Sequence, residues 1–309
     1  MKILVTGGAG FIGSMLVPEL LKEGHSVTVL DNLMWGSQGL FGNFGKPSFR
    51  LVKGDVLDDK LVGDVMEGED VVIHLAALVG YNLCERNRQR ATDVNVQGSK
   101  IVESQLSDKQ LLIYASTGSI YGPVNCESCT EDVAPNPQSH YASTKAEAES
   151  IFSKRKNAVT LRFATAFGVS FRMRLDLLVN QFVYEAVKNR VLVVYEKDFV
   201  RPVIHVSDIA QSILFAISNR QSMQGGTFNV GSEALTFTKQ EIALRIKKQF
   251  DYNLNFAETN SDPDRRNYRF STQKIEALGY RPTVSLDTGI RELICAVTQL
   301  KIDKSCFNA

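Results

Sequence analysis

The 309-residue sequence has no apolar run approaching the roughly 18 residues needed to span a bilayer. Its opening, MKILVTGG, lacks the basic, apolar and small-residue order of a secretion signal. Cysteine is sparse: five scattered thiols, an odd number, argue against a disulfide framework and fit a reducing cytoplasm. Neither sign of charge is in excess. Lys+Arg of 35 against Asp+Glu of 34 gives a formal net charge of +1, so no overall field would hold the chain on nucleic acid or an anionic membrane. Any phosphate it binds must be bound locally. Internal repeats, low-complexity tracts and flexible linkers are missing as well. Together these absences predict a soluble cytoplasmic protein, long enough to bury a large core as one α/β domain or two intimate lobes.

What is present is alternation. Short apolar runs (KILVTG, SVTVLDN, SFRLVKG, DVVIHLAA, QLLIYAS, AVTLRFA) are separated by amphipathic stretches such as FIGSMLVPELLKEG. That order predicts a doubly wound parallel sheet with helices on both faces. After about residue 166 the rhythm weakens, and arginine-bearing segments such as SFRMRLDLLVNQF point to a smaller C-terminal lobe. RPVIHVSD and GGTFNVGS read as strands returning to the main sheet. Ligands of such sheets bind beyond the carboxyl ends of the strands, here between the lobes.

TGGAGFIG, residues 6–13, follows the first strand and opens a helix, with Gly7, Gly10 and Gly13 spaced three apart. Glycine permits a tight turn and brings backbone N–H groups close to a pyrophosphate at a helix N-terminus. Asp31 ends the next strand 18 positions after Gly13. A carboxylate there accepts from the adenosine ribose hydroxyls and repels a 2′-phosphate, so NAD is expected rather than NADP. Asp55 in KGDV could read the adenine edge or cap a helix. The small residues of HLAALVG leave room for the cofactor, with His74 itself read as packed.

YASTK places Tyr141 and Lys145 four residues apart in a helix-favouring segment. They therefore share a face. A nearby ammonium favours phenolate, which makes Tyr141 a usable base for a carbinol proton while hydride leaves for nicotinamide. Lys145 would also reach the nicotinamide ribose. Alone, Y-x-x-x-K could be an amphipathic accident; the glycine fingerprint and the hydroxyl-rich ASTGSIYG before it argue otherwise.

These residues resemble the extended short-chain dehydrogenases/reductases that include the NAD-dependent sugar-nucleotide epimerases and dehydratases. The likeness covers nearly the whole chain: TGGAGFIG, Asp31-Asn32, GDV, HLAA, ASTGSIYG, YASTK, LRFATAFG, RPVIHVSD and NVGS. It implies a Rossmann domain over residues 1–168, with 203–231 returning to it. A sugar-nucleotide domain would comprise 169–202 and 232–309. It also implies a homodimer. Gly7, Gly10, Phe11, Ile12, Asp31, Asn32, Asp55, Val56, Leu75, Ala76, Ala77, Tyr141 and Lys145 would hold NAD. Thr117 would join Tyr141 and Lys145 in catalysis. Asn180, Arg174, Arg201 and Arg266 would bind a GDP- or UDP-sugar, with Arg172 and Arg265 as further phosphate clamps. The tail motifs look most like the subgroup that includes GDP-heptose 4-dehydrogenases of bacterial capsule synthesis.

The implied activity is oxidation of the sugar at C4, as a 4-dehydrogenase or 4-epimerase. Family dehydratases carry an Asp-Glu pair directly after the catalytic threonine; here Gly118 and Ser119 stand there, so no 4,6-dehydratase activity is expected. Alternatives are a 4-keto-sugar-nucleotide reductase, a 3/5-epimerase and, in a different class, a non-enzymatic NAD-binding regulator. Cys126 and Cys129 form a C-x-x-C without further ligands at zinc spacing, so no metal is expected. Cys84 is read as packing or lining the cofactor wall, and Trp35, in the loop after Asp31, as a surface-packed aromatic in preference to a shield on the adenine side.

Overall fold

The computed structural model describes residues 1–123, 127–257 and 267–308. The strands are β1 (Lys2–Thr6), β2 (Ser26–Asp31), β3 (Phe49–Lys53), β4 (Val71–His74), β5 (Leu111–Thr117), β6 (Ala158–Phe163), β7 (Thr165–Phe167), β8 (Val191–Tyr195), β9 (Val200–His205), β10 (Thr227–Val230), β11 (Thr236–Thr238) and β12 (Asn253–Ala257). Seven of them form a parallel Rossmann sheet in the order β10-β6-β5-β4-β1-β2-β3. The continuous apolar strands follow from burial on both faces: Ile3 and Val5 enter one core and Leu4 the other, all fully buried. Helices Gly13–Lys22 and Val206–Ser218 cover the first face; Asp59–Met66, Gly98–Gln105 and His140–Phe152 cover the second.

The second lobe has a separate core built around Phe167, Leu175, Val183, Leu192, Val203, Ile242 and Ile290. One of the expected returning strands goes there instead. RPVIHVSD supplies β9, which lies between β7 and β11 in a three-stranded sheet. The reason is topological: the place beside β6 is taken by β10, and the chain leaves the main sheet through β7 immediately after β6. GGTFNVGS does supply the edge strand β10 of the main sheet. The helix Val206–Ser218 also rejoins that layer, with Ile209 and Ile213 beside Ile3 and Leu16 in its core. Its buried Asp208 accepts from Thr283 N, Thr283 Oγ1 and Val284 N at 2.9–3.0 Å, which fastens the C-terminal segment to this helix.

β1 and β4 are neighbours, and their connections run to opposite sides of the sheet. Their carboxyl ends mark the switch point where an open α/β sheet binds ligand.

Candidate active site

A cleft of about 500 Å³ opens at this switch point, between the two lobes. At its floor Gly7 has φ +71°, and a Cβ there would lie 2.7 Å from Ala76 N, so the β1 and β4 loops touch only because residue 7 has no side chain. A Cβ on Gly13 would come within 2.5 Å of Gly8 Cα, which locks the first helical turn against the loop. Around Gly10 the nearest atom to an added Cβ is Gly7 O at 3.1 Å. That part of the loop faces the cleft beside the start of helix Gly13–Lys22, a cradle fitted to a pyrophosphate.

Asp31 lies at the end of β2, where Oδ2 accepts from Ala9 N at 3.0 Å and Oδ1 from Leu33 N at 2.8 Å. Burial raises its pKa, opposed by those two N–H groups and by Arg172. Asp55 behaves differently. Burial pushes it up, but hydrogen bonds from Asn32, Leu57 and Arg90 together hold it below the usual carboxylate range. The Arg90 contact is 2.6 Å. Phe11, Ile12, Asn32, Val56, Leu75, Ala76 and Ala77 all line the same cleft.

The opposite wall carries the hydroxyls and the cation. Ser139 caps helix His140–Phe152 by accepting from Ala142 N at 3.2 Å, which fixes the helix start so that Tyr141 and Lys145 sit one turn apart in the cleft wall. Lys145 is 5% exposed, and its ammonium lies 4.2 Å from the centre of the Tyr114 ring. Burial lowers its pKa to about 7, against the upward pull of Glu149 and Cys84. Glu149, one turn further along, accepts from Ser116 Oγ at 2.5 Å and from the Arg162 guanidinium at 2.6–3.2 Å. Arg162 in turn donates to Tyr121 OH at 2.8 Å. A buried polar network thus lies behind this wall. Thr117 ends β5, and its Oγ1 donates to Ser119 Oγ at 3.0 Å and accepts from Ser119 N at 3.1 Å.

Several expected residues lie elsewhere. Asn180 is fully buried behind the wall, with its amide committed to backbone: Gly168 N donates to it at 2.9 Å, and it donates to Gly168 O and Arg174 O. It pins a bend and does not line the cleft. Arg201, on the central strand of the small sheet, is 1% exposed, donates to Val200 O at 3.2 Å and is also absent from the cleft wall. Arg265, Arg266 and Cys126 lie outside the described residues. Cys129 is buried, with its backbone bridged to the Arg269–Ser271 segment. No cluster of metal-ligating side chains occurs among the described residues.

Arg174 does line the cleft, paired with Asp176 at 2.5 Å. Trp35 borders the cleft, as in the less favoured of its two sequence readings, with the Arg172 guanidinium 4.6 Å from its ring centre. Cys84 packs with Leu78 and Leu83, donating to Leu78 O at 3.3 Å, and burial pushes its thiol up to about 12. His74 is held between Thr6 and Ser99 at 2.8 and 3.1 Å, with burial lowering it to about 3. Asn308, Asp176, Gln181 and Tyr81 complete the wall without having been legible beforehand, since isolated polar residues in loops and tail carry no spacing signal.

A glycine cradle at the switch point, an acid closing β2 and a Tyr-Lys helix in one cleft define a Rossmann enzyme of the short-chain dehydrogenase type. Residues 3–231 match the profile of the NAD dependent epimerase/dehydratase family, and the chain belongs to that family, with NAD as its cofactor. The low-salt glycan biosynthesis protein Agl12 of Haloferax volcanii is 30% identical over 95% of this chain and 97% of its own. The NAD complex of Thermus thermophilus UDP-glucose 4-epimerase superposes with TM-score 0.82 at 27% identity, covering 97% of this chain and 99% of that one. DesIV, a dTDP-glucose 4,6-dehydratase from Streptomyces venezuelae with NAD and TYD bound, gives TM-score 0.85 at 26% identity over 96% and 97%. Among the described residues no helix is long and apolar enough to cross a membrane.

Proposed function

We propose that this enzyme oxidises a nucleoside-diphosphate sugar at C4, as a 4-dehydrogenase or 4-epimerase of cell-surface glycan synthesis, with NAD supplying the hydride acceptor at that carbon. The observation that carries the reading is the convergence of Thr117, Tyr141 and Lys145 on the cleft that also holds the glycine cradle. In this reading Tyr141 takes the proton of the C4 hydroxyl, while the Lys145 ammonium, favoured by Glu149, stabilises the phenolate that does so. Thr117 Oγ1, oriented by Ser119, hydrogen-bonds the reacting hydroxyl. Arg174 offers its remaining donors to the substrate diphosphate, aligned by Asp176. UDP or GDP is the nucleotide, and a homodimer is the assembly. Agl12 supports the role in glycan synthesis, and the UDP-glucose 4-epimerases among the relatives support the substrate class.

Water elimination needs an acid for the C6 hydroxyl and a base for the C5 proton. Among the described residues, the acids lining the cleft are Asp31 and Asp55 beside the glycine cradle and Asp176, which is tied to Arg174. A side chain at 118 has no space either, since a Cβ there would sit 2.7 Å from Tyr268 OH and 2.9 Å from Phe270 Cε1. Both arguments support a non-dehydratase. Gly118→Asp is therefore expected to destabilise the fold by roughly 2–4 kcal/mol through overpacking and carboxylate burial. Denaturant unfolding checks the loss, and the variant is expected to yield no 4-keto-6-deoxy product.

The reading is tested with UDP-, GDP- and dTDP-sugars deuterated at C4. Label lost with NADH accumulating identifies a dehydrogenase, and label kept in an inverted sugar an epimerase. Silence with every sugar, or a 4-keto-6-deoxy product, would overturn it.

A further inference from the structure

Arg172 occupies a position that its sequence neighbours do not explain. It follows β7 at the edge of the second lobe, yet its segment is stitched to the dinucleotide half. Ser170 Oγ donates to Phe11 O at 2.7 Å and lies 3.0 Å from Ser14 Oγ, and Arg172 N donates to Ser14 Oγ at 3.2 Å. The guanidinium enters the cleft over Trp35, with the residue 6% exposed. One end is held, because Nη2 donates to Asn308 Oδ1 at 2.6 Å. Asn308 is itself fixed, receiving no freedom from its neighbours: its N donates to Asp176 Oδ1 and its Nδ2 to Val79 O, both at 3.2 Å.

The buried Nε of Arg172 has no hydrogen-bond partner among the described residues. A buried guanidinium with an unused donor and no bonded carboxylate is costly unless an anion completes it. Burial and Arg174 lower its pKa to about 10, so at neutral pH it is still a cation. Two anionic groups can reach this cleft: the pyrophosphate of NAD and the diphosphate of a sugar nucleotide. On one side the Arg172 segment is bonded to the start of the glycine-loop helix, through Arg172 N to Ser14 and Ser170 to Phe11, with the guanidinium over Trp35 and within the field of Asp31; on the other side stand Asn308 and the charges of Arg174 and Asp176. Arg174 instead borders Gly80 and pairs with Asp176, and a Cβ on Gly80 would lie 3.3 Å from its Nη2.

We propose that Arg172 is a cofactor ligand delivered from outside the glycine loop: its free Nε–H binds the pyrophosphate of NAD while Asn308 holds the guanidinium in place. The two segments then act as a clasp across the cradle. Arg174 is left to the substrate, so the pair of arginines divides two diphosphates between them. The clasp depends on the cofactor and not on which sugar is oxidised.

The test reads NAD and UDP binding separately, by equilibrium dialysis and by emission of Trp35, the single tryptophan of the chain. Arg172→Ala is expected to weaken NAD by about tenfold or more, the scale of a charge-assisted hydrogen bond, and to leave UDP affinity within about twofold. Arg172→Lys keeps the charge without the Nε–H and is expected to recover only part of the loss. Asn308→Ala should weaken NAD by about threefold and add nothing to Arg172→Ala, because the two act as one unit. Without NAD, Arg172→Ala is expected to melt no lower than the wild type, whereas the rise in Tm on adding NAD should shrink. Unchanged NAD affinity in Arg172→Ala and Arg172→Lys would overturn the proposal. So would a loss confined to UDP, which would make Arg172 a sugar-nucleotide clamp.

Discussion

Tyr141→Phe is expected to lower kcat by about 10³–10⁴-fold on any active sugar nucleotide, with NAD still bound and the fold intact. The phenol oxygen is the only atom removed. Its helix position is set by the Ser139 cap and its ring packs beside Leu83 and Cys84, so neither depends on the hydroxyl. Under the proposed function, what disappears is the group assigned to take the C4 proton, and among the described residues lining the cleft there is no histidine to replace it and the acids are spent on backbone and arginine partners. Initial rates with saturating sugar nucleotide, alongside NAD content of the purified variant, check the result. Retained turnover would refute Tyr141 as the base.

Lys145→Met is expected to split activity from stability. Turnover should fall by about 10²–10⁴-fold, because Tyr141 loses the charge that favours phenolate. The fold should gain, with Tm rising by roughly 2 °C or more for each kcal/mol of relieved burial. The cause is desolvation: burial outweighs the Tyr114 ring face and the pull of Glu149, bringing the pKa from 10.5 to about 7. The pH dependence follows in sign. Between about pH 7 and 10.5 the unfolded chain keeps a proton that the folded one has released, so the stability contributed at this site rises with pH across that window. Below about pH 7 both states are protonated and the burial cost is full. Lys145→Met should flatten this slope, and thermal melts from pH 6 to 10 would show it. A fall in Tm at every pH would mean that the lysine is a structural partner of the network behind it.

The parts legible from sequence are those set by short-range spacing. TGGAGFIG announced its turn because strand, glycines and helix follow each other directly, and Asp31 because it closes the next strand. Tyr141 and Lys145 were legible because a helical turn is four residues wherever the helix lies. Asn180 and Arg201 failed for the opposite reason. Whether a polar side chain meets ligand or backbone depends on which face of the second lobe it lands on, and no periodicity encodes that. RPVIHVSD has the composition of a buried parallel strand, and composition does not state which sheet the strand joins. Asn308 was invisible because its contact exists only once a residue 136 positions along the chain has folded back onto Arg172.

The chain passes back and forth between its two lobes. It leaves the main sheet at β7, builds β8 and β9 in the small lobe, returns for β10, and leaves again for β11, which must find β9 to pair. None of the three sheets, the two-stranded β12-β8 pair included, is therefore encoded by one unbroken stretch. A ribosome that has released residues 1–168 has made six strands of the large sheet, but its outer edge at β6 stays open until β10 emerges. An exposed edge is a template for pairing with other chains. Nascent chains stalled before β10 should thus be the species most prone to aggregation, and the finished protein should unfold in one transition rather than lobe by lobe.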